Sequence, residues 1–197
     1  MQEIRKIRAK NEDGTLGPVV GELVIQYKLL SYLLPSRVAQ FISPTFSGVE
    51  VVRFKPYENN DDVQIHISKE DLAGVTAISP DAFKYCTNLA SIYIPNSVEI
   101  IGNYAFRGCG LTRIKIPNSV KRIGEGAFEY CSSLVSIVIP ESVTSIGNYA
   151  FGECTGLKSA TIPDSVTSIG AWAFNGCTSL RSVDILDGVK SIGHAVF

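Results

Sequence analysis

The sequence predicts a right-handed solenoid, mainly β with short turns or 3-10 segments, in which coils of about 23 residues stack behind an atypical N-terminal cap. Two observations predict this fold class: isoleucines recur at intervals of 22 or 23 residues through the last 120 residues, and an alternating apolar pattern occurs once in each interval. Such a unit cannot bury its own apolar side and must stack on its neighbours. The marker residues are Ile78, Ile101, Ile123, Ile146, Ile169 and Ile192.

Each unit contains the spacing L-x-x-I-x-I, for example Leu134, Ile137 and Ile139. Apolar residues at a period of two indicate a short strand with one buried side. A proline follows in four of the five units, and proline cannot continue a strand ladder. The chain must therefore turn at Pro95, Pro117, Pro140 and Pro163.

The segment S-V-x-x-I-G comes next and brings a second buried pair of residues. Its glycine suits a tight corner, where a positive φ is sterically cheap. We expect this conformation at Gly102, Gly124, Gly147, Gly170 and Gly193. The segment A-F-x-x-C then fills the interior and returns the chain to the next strand.

About eight residues of each coil should lie in the interior and form continuous ladders from coil to coil. Each large apolar side chain buried in this way contributes roughly 1.5 to 3 kcal/mol. In one coil these residues are Leu134, Ile137, Ile139, Val143, Ile146, Ala150, Phe151 and Cys154.

The five cysteines follow the same period, with gaps of 23, 22, 23 and 23 residues. Each one therefore occupies the same place in its unit, where a small buried residue is a better interpretation than a disulfide partner. They are Cys86, Cys109, Cys131, Cys154 and Cys177.

The repeated pattern resembles the Treponema-type leucine-rich repeats of BspA-like bacterial proteins, whose signature is I-G-x-x-A-F-x-x-C-x-x-L-x-S-I-x-I-P-x-S-V. The resemblance covers residues 78–197, with five near-complete copies and a partial sixth. Local departures are Ala160 and Val183 for the usual Ile, Leu186 for Pro, and Ala195-Val196 near the end. The resemblance implies a non-enzymatic module that binds a host or partner protein or a glycan, at the bacterial cell surface or in secreted form, with a role in adhesion.

Residues 1–77 lack the repeat and are expected to form the N-terminal cap, with the solenoid at 78–197. Residues 2–10 and 49–54 alternate like strands, NEDG at 11–14 is a hairpin-type turn, and VIQYKLLSYLL at 24–34 is either helix or buried strand. Residues 63–79 read as a degenerate first coil. Solenoid ends need an atypical unit that covers the open core, and this region is placed to supply it.

Composition excludes several classes of protein. With 45% hydrophobic residues and a formal net charge of −1, the chain fits neither a disordered protein nor a nucleic-acid binder. The apolar stretch at 24–34 is interrupted by polar residues and is shorter than the ~20 residues that a bilayer requires, so we expect no membrane insertion. The N-terminus has no secretory signal as written, although a removed signal remains compatible with export.

No motif indicates catalysis, a metal site or a cofactor. The two histidines, His66 and His194, lie far apart in sequence, and the cysteines share one repeat position without a Cys-x-x-Cys pair. Phosphate-binding, nucleophile-elbow and zinc-protease signatures are absent. The acidic run ENNDD at 58–62 is either a solvated loop or a calcium ligand set, but it lacks the spacing of a calcium-binding loop.

The best candidate binding surface is the outer side of the L-x-x-I-x-I strands. Residues that flank the central Ile point out of the predicted concave sheet, and they form a strip that is basic near its start and acidic near its end. An ordinary solvated sheet face is the alternative. The candidates are Tyr93, Arg113, Lys115, Val138, Thr161 and Asp184, with Ser91, Ser136, Ser159 and Ser182 between them.

A second candidate is a column that precedes the A-F pair: Asp81, Tyr104, Gly126, Tyr149, Trp172 and Ala195. The three aromatic residues Tyr104, Tyr149 and Trp172 would suit an adhesive contact. Packing against the neighbouring coil is the alternative that we prefer, because large aromatic rings are seldom left bare.

The last coil reads IGHAVF and is followed by no polar cap, which leaves a strand edge near Val183 to Ile185. Self-association through this edge, a longer natural chain and a sufficient truncated coil are all compatible with the sequence. Two other functions stay open. The phrase RAKNEDGTLGP resembles the start of some phage tail-associated proteins, which implies a receptor-binding role, and an intracellular scaffold would use the same repeats.

Overall fold

The computed structural model describes residues 2–10, 16–29, 46–56, 65–69 and 71–197. Within these ranges the chain consists of fourteen β-strands joined by turns, and it contains no helix. The strands are β1 (Gln2–Lys10), β2 (Leu16–Leu29), β3 (Phe46–Pro56), β4 (Ile65–Ile67), β5 (Ala77–Ile78), β6 (Leu89–Ile92), β7 (Ile100–Ile101), β8 (Arg122–Ile123), β9 (Ser136–Val138), β10 (Ser145–Ile146), β11 (Ser159–Ile162), β12 (Ser168–Ile169), β13 (Ser182–Ile185) and β14 (Ser191–Ile192).

Nine of these strands form one sheet in the order β1-β2-β3-β5-β7-β8-β10-β12-β14. From β5 onward each strand has only two residues, and successive marker isoleucines are parallel partners, as in Ile101↔Ile123 and Ile146↔Ile169. The predicted solenoid, with one coil per repeat, is therefore confirmed. The sequence pattern did not reveal that the short S-V-x-x-I-G segments build a sheet of their own.

The N-terminal strands continue this sheet. Strand β1 pairs antiparallel with β2, β2 pairs antiparallel with β3, and β3 pairs parallel with β5 through Glu50↔Ala77 and Val51↔Ile78. The side chain of Arg5 also donates hydrogen bonds to the carbonyls of Asp71 (2.8 Å) and Ala73 (3.2 Å). The N-terminal strands are thus joined to the first coil, as expected of a cap, while the boundary at residue 77 stays a prediction.

Several predictions for the N-terminal third can be compared with these strands. Residues 2–10 and 49–54 lie in β1 and β3 as predicted, and residues 24–29 form strand rather than helix. Strand β4 pairs with β6 and β5 pairs with β7, which is compatible with a degenerate first coil at 63–79; that coil and its bounds stay a prediction. The predicted turn at 11–14, the rest of the 24–34 segment and the ENNDD run at 58–62 lie outside the described residues.

The L-x-x-I-x-I segments form a second wall of each coil. Strands β9, β11 and β13 make a parallel three-stranded sheet, and β4 and β6 make a separate pair. The predicted strand at 111–116 is wrong: this segment has no regular strand and interrupts the wall between β6 and β9. The described backbone of the segment is linked to the next coil by one bond, from Val135 N–H to Thr112 O at 3.3 Å.

A missing residue explains this interruption. This unit has one residue fewer between its cysteine and leucine than the others, so the path from Cys109 to Leu111 is shorter. Along this shorter path Gly110 lies against the backbone of the preceding coil, where a Cβ on Gly110 would be 1.9 Å from Thr87 O. Leu111 keeps its buried place, but the peptide groups after it no longer line up with their neighbours.

The A-F-x-x-C segment forms a third wall, which we call the turn wall: residues 79–87, 102–110, 124–132, 147–155, 170–178 and 193–197. Alternate N–H groups donate to the next coil, for example Phe83 to Ala105 O at 2.7 Å and Phe106 to Ala127 O at 2.8 Å. The N–H groups between them donate hydrogen bonds that form tight turns within the same coil, as in Ala82 N–H to Ser79 O at 3.3 Å. Main-chain bonding thus continues across a wall that has no regular strands.

The prediction of positive φ at the corner glycines Gly102, Gly124, Gly147, Gly170 and Gly193 is wrong, because none of them has φ in the left-handed region. These glycines are explained instead by the close approach of the preceding coil's backbone, which leaves no room for a Cβ. A Cβ on Gly147 would lie 2.6 Å from the amide nitrogen of Glu125 in the preceding coil, a distance that real Cβ atoms do not adopt.

Apart from Gly74, positive φ in the described residues occurs in two columns of the turn wall, and most of their residues are not glycine. The first column is the one that precedes the A-F pair: Asp81, Tyr104, Gly126, Tyr149, Trp172 and Ala195, with φ between 49° and 58°. The second follows the A-F pair by two residues: Tyr85, Gly108, Tyr130, Glu153 and Gly176, with φ between 57° and 72°.

The interior consists of side-chain ladders, as the sequence predicts. All eight predicted interior residues of the coil that starts at Leu134 are at most 3% exposed. Phenylalanines stack at the centre, with ring centroids 5.3 Å apart between Phe106 and Phe128 and 5.4 Å apart between Phe128 and Phe151. The core is therefore continuous from coil to coil.

We expect Phe128→Ala to destabilise the fold by about 3 to 5 kcal/mol, because it removes a buried ring from the middle of the phenylalanine ladder and leaves a cavity. For a chain of this size that corresponds to a fall of roughly 6 to 20 °C in the thermal midpoint. Val138→Ala, at an exposed position, is the control and should leave the midpoint nearly unchanged. A Phe128→Ala midpoint equal to that of the wild type would contradict the core assignment.

We expect Gly147→Ala to destabilise the fold by about 1 to 3 kcal/mol, because the new methyl group would overlap the backbone of the preceding coil. Gly152→Ala is the matched control, since its Cβ would meet its nearest atoms at 3.4 Å and its φ is not left-handed. Chemical denaturation of both variants compares them directly. Equal loss of stability in the two would argue against close approach as the reason for Gly147.

Candidate functional site

The outer side of the L-x-x-I-x-I segments, which we call the strand face, is exposed as the sequence predicts. In β11 the burial pattern alternates, with Ser159 and Thr161 exposed and Ala160 and Ile162 buried. All six residues proposed for this face lie at the surface: Tyr93, Arg113, Lys115, Val138, Thr161 and Asp184. A ligand-binding role for them stays a prediction.

The face does not form one uninterrupted sheet, because Arg113 and Lys115 lie on the segment without regular strand. A cleft of about 140 Å³ lies beside this interruption, between Tyr93 and Asn96 on one coil and Lys115 and Pro117 on the next. One aromatic and one basic candidate side chain, Tyr93 and Lys115, therefore line the same cleft.

Three ion pairs among the described residues lie away from the strand face. Lys84 pairs with Asp81 at 2.7 Å, Arg107 with Glu129 at 3.0 Å, and Lys121 with Glu99 at 3.0 Å, whereas Arg122 and Lys190 beside the nine-stranded sheet have no ion pair among those residues. Four cations on or beside the strand face have no ion pair within the described part of the chain. They are Arg113, Lys115, Lys158 and Arg181.

Negative charge lies at the other end of the same strands. Asp184 is the acidic residue of the predicted strip, and Glu141, Asp164 and Asp187 follow in the turns after the strands, all of them exposed. The strand face therefore has a basic border before the strands and an acidic border after them. The sequence prediction described the change of charge along the strip from coil to coil, and it missed the change along each strand.

The predicted aromatic column mainly packs along the turn wall. The rings of Tyr149 and Trp172 stack with centroids 4.9 Å apart, and His194 meets Trp172 edge-on at 3.9 Å. The hydroxyl of Tyr104 donates to Glu125, and this hydrogen bond raises the pKa of Tyr104 to about 12. All three predicted aromatic residues are half-buried, which favours the packing interpretation over an open adhesive surface.

The second left-handed column contains aromatic residues that sequence reasoning missed. Tyr85 is 59% exposed and Tyr130 is 48% exposed, so both rings face solvent more than the three half-buried aromatic residues of the predicted column. The guanidinium of Arg107 lies over both rings, 5.8 and 5.3 Å from their centroids, and 5.5 Å from that of Tyr104. The sequence did contain a signal for these two tyrosines. Each lies four residues after a member of the predicted column, so the two share one position of the repeat.

Glu129 holds this arginine in place from the interior side. Its carboxylate is largely buried, and burial raises its pKa despite the opposing effect of Arg107. The Nε of Arg107 lies 3.0 Å from the carboxylate without hydrogen-bond alignment, so the contact is an ion pair. Arg107 is thereby fixed between the tyrosines.

The cysteines form a ladder of thiol hydrogen bonds. Each thiol after the first donates to the carbonyl of a phenylalanine in the preceding coil, for example Cys131 to Phe106 and Cys154 to Phe128, both at 3.1 Å. Burial raises the pKa of Cys86 and Cys131 to about 12 and that of Cys177 to about 11, and it raises those of Cys109 and Cys154 well above their usual range. Such thiols have no nucleophilic character at neutral pH.

The histidines and carboxylates offer no metal centre in the described ranges. No three His, Cys, Asp or Glu side chains come together there as potential ligands. His66 instead shares a hydrogen bond of 2.7 Å with Ser91 on the strand face. Among the same residues, no helix has the length and apolarity to cross a membrane.

The last coil leaves apolar residues exposed, notably Leu186, Ile192 and Phe197. An open cavity of about 380 Å³ lies there between Phe174, Leu180 and Phe197. Strands β13 and β14 are the last members of their sheets. The predicted self-association through this end stays a prediction, as do its alternatives.

Residues 76–197 match the BspA type leucine-rich repeat region, in six copies. The chain belongs to this family. BspA-type repeats are typical of modules that bind other proteins without enzymatic activity, and this coarse function applies to the chain.

Solved structures of other bacterial leucine-rich repeat proteins share the fold. A leucine-rich cell surface protein of Faecalibacterium prausnitzii is 36% identical over 70% of the chain, with a TM-score of 0.62, and the chain spans 35% of its length. The leucine-rich repeat protein of T. pallidum is 27% identical, covering 86% of this chain and 83% of its own, with a TM-score of 0.61. A leucine-rich repeat protein of Bacteroides ovatus is 28% identical over 88% of this chain and 49% of its own, with a TM-score of 0.56. No curated protein is significantly similar to the chain.

We expect the five cysteines of this BspA-type chain to resist thiol reagents at pH 8, because their raised pKa values keep them protonated and their sulfurs are buried. After denaturation all five should react with an aromatic disulfide reagent, monitored by absorbance. Cys177, which is 9% exposed in the last complete coil, should be the first to react as the native protein opens. Rapid modification of Cys131 in the folded protein would contradict the buried ladder.

Proposed function

We propose that the chain is the recognition module of a bacterial cell-surface or secreted protein, and that it binds a host or partner protein or a glycan through the strand face. The carrying observation is that exposed cations on that face lie beside the cleft between Tyr93 and Lys115. Arg113 and Lys115 are exposed, and neither forms an ion pair with a described carboxylate. A partner with negative charge would supply the missing partners.

The scaffold supports such a role because buried residues anchor the segment that carries these side chains. Leu111 and Ile116, on either side of Arg113 and Lys115, are buried in the continuous interior. A preorganised surface loses little conformational entropy when a partner binds. Surface charge then increases the association rate and discriminates between partners.

A location at the cell surface or outside the cell is supported by one relative. The F. prausnitzii protein is described as a leucine-rich cell surface protein, and it is 36% identical to this chain. A role in adhesion extends the proposal. The phage tail and intracellular scaffold alternatives have no comparable support from the fold or from the relatives.

We expect the double variant Arg113→Glu, Lys115→Glu to lose at least about tenfold in affinity for any anionic ligand of the wild type, because each substitution reverses an exposed charge at the contact. The measurement is surface plasmon resonance against arrays of host matrix proteins and acidic glycans. Wild-type binding should also weaken as salt concentration rises.

The matched control is Arg122→Glu, Lys190→Glu, which makes the same charge change at two exposed positions, one in β8 and one directly before β14. It should bind within about twofold of the wild type, since its charges lie on another wall. Equal binding by both double variants would show that the strand face is not the site.

A further inference from the structure

The cleft on the strand face, between Tyr93 and Lys115, combines three kinds of chemical group. Tyr93 supplies an exposed aromatic ring, Asn96 an exposed amide and Lys115 an exposed ammonium group. The other residues that line the cleft are buried and apolar: Ile92, Ile94 and Pro117. Its volume of about 140 Å³ is smaller than the roughly 300 Å³ at which sites for drug-sized ligands begin, so it has room for one ring or one side chain of a larger partner.

Main-chain hydrogen bonding between coils stops at this cleft. No main-chain hydrogen bond joins residues 89–94 to residues 111–116, both of which belong to the described chain. The N–H of Tyr93 donates to Ile67 O in the preceding coil at 2.9 Å, but the N–H of Lys115, at the same position of the repeat, donates to no described group. Arg113 and Ile114 likewise have neither their N–H nor their C=O bonded within the described ranges.

Other exposed cations of the strand face lie on paired backbone. Lys158 precedes β11, and its N–H donates to Val135 O at 2.9 Å. The residues of β11 are paired on both sides, with β9 and with β13. The segment at 113–115 differs from these strands because open peptide groups occur there together with exposed charge.

The open groups of the segment include both donors and acceptors, and this favours one class of ligand. A carboxylate of a protein side chain only accepts hydrogen bonds, so it could pair with Lys115 but would leave the open carbonyls without a donor. Sugar hydroxyls both donate and accept. A pyranose ring also has an apolar C–H face that can pack on the ring of Tyr93.

Positive charge selects among sugars. The ammonium group of Lys115 has no ion pair within the described chain, and a charge-assisted hydrogen bond to a carboxylate is about twice as strong as a neutral one. The amide of Asn96 can donate to one sugar hydroxyl and accept from another. A sugar ring that bears a carboxylate therefore matches every group of the cleft.

We propose that this cleft binds a single carboxylate-bearing sugar unit of a glycan, with the carboxylate at Lys115, the ring on Tyr93 and the hydroxyls at Asn96 and the open peptide groups of 113–115. The proposal rests on the proposed function, since it takes the strand face as the binding surface, and it names the chemistry of the ligand. Sialic acids and uronic acids share this chemistry.

The test is a titration of the full, ¹⁵N-labelled chain, followed by the amide resonances of Arg113, Ile114 and Lys115. The probes are 3′-sialyllactose, a hyaluronan tetrasaccharide, lactose and a short glutamate peptide. We expect at least one of the two acidic saccharides to shift these resonances to saturation, and the one that does identifies the sugar as a sialic or a uronic acid. Lactose, which lacks the carboxylate, should bind at least about tenfold more weakly.

Three outcomes would overturn the proposal. In the first, neither acidic saccharide shifts the three resonances. In the second, lactose binds as well as the acidic saccharides, which would mean that the carboxylate is not recognised. In the third, the glutamate peptide saturates the same resonances at a lower concentration, which would assign the cleft to an acidic protein side chain.

Variants then locate the sugar in the cleft. Tyr93→Ala and Lys115→Gln should each weaken binding of the acidic saccharide at least about tenfold, and Asn96→Ala should weaken it about two- to tenfold. Lys158→Gln is the matched control, because it removes the same charge from the same face at a place where the backbone is paired, and it should bind within about twofold of the wild type. Equal binding by Lys115→Gln and Lys158→Gln would overturn the site. All four positions are exposed, so the thermal midpoints should stay close to that of the wild type, and a loss of binding is then not a loss of fold.

Failure of this proposal can be distinguished from failure of the proposed function. If the wild type binds an anionic matrix protein and Arg113→Glu, Lys115→Glu abolishes that binding, while neither acidic saccharide binds, the strand face remains the binding surface and the sugar assignment is wrong. If the double variant binds every partner as well as the wild type does, both proposals are wrong.

Discussion

Main-chain hydrogen bonding between neighbouring coils, in one fixed register on all three walls, is the constraint on which the rest of the molecule depends. Ile123 and Ile146 are partners on one wall, Ala160 and Val183 on another, and Phe128 N–H reaches Ala150 O on the third. Because the register is fixed at three places in every coil except the one interrupted at 111–116, equivalent side chains must stack. The phenylalanine ladder, the thiol ladder and the exposed columns are consequences of that register.

The close approach of the coils also decides where glycine is needed, and here sequence reasoning succeeded in part. The period identified Gly147 as special, but a glycine in a sequence pattern has two physical explanations, positive φ and lack of space. The sequence does not separate them, because the neighbouring backbone that excludes a Cβ belongs to another coil. Tyr104 and Tyr130 have left-handed φ without being glycine, since their N–H groups are held by the next coil.

The outward positions of the strand face could be predicted because alternation in a strand is a local property. Val138 and Thr161 are exposed for the same reason that Ile137 and Ala160 are buried. The contacts around Arg107 were not predictable in this way, because its guanidinium reaches tyrosines on two neighbouring coils as well as its own, through a long side chain. In the sequence, the interruption of the wall at 111–116 appears only as one missing residue. Its effect on hydrogen bonding could not be predicted, because that effect depends on where the backbones of both neighbouring coils lie.

A stacked fold of this kind lets separate surfaces diverge without disturbing one another. Interior residues repeat because each must fit the coils on both sides, whereas an exposed column is free to hold Gly108 in one coil and Tyr130 in the next. The strand face and the second left-handed column lie on different walls and share no residue, so a change of charge at Lys115 leaves the surroundings of Tyr130 intact. Differences between coils, rather than the repeat itself, therefore distinguish one exposed surface from another, and the exposed rings of Tyr85 and Tyr130 and the exposed cations Arg113 and Lys115 are such differences.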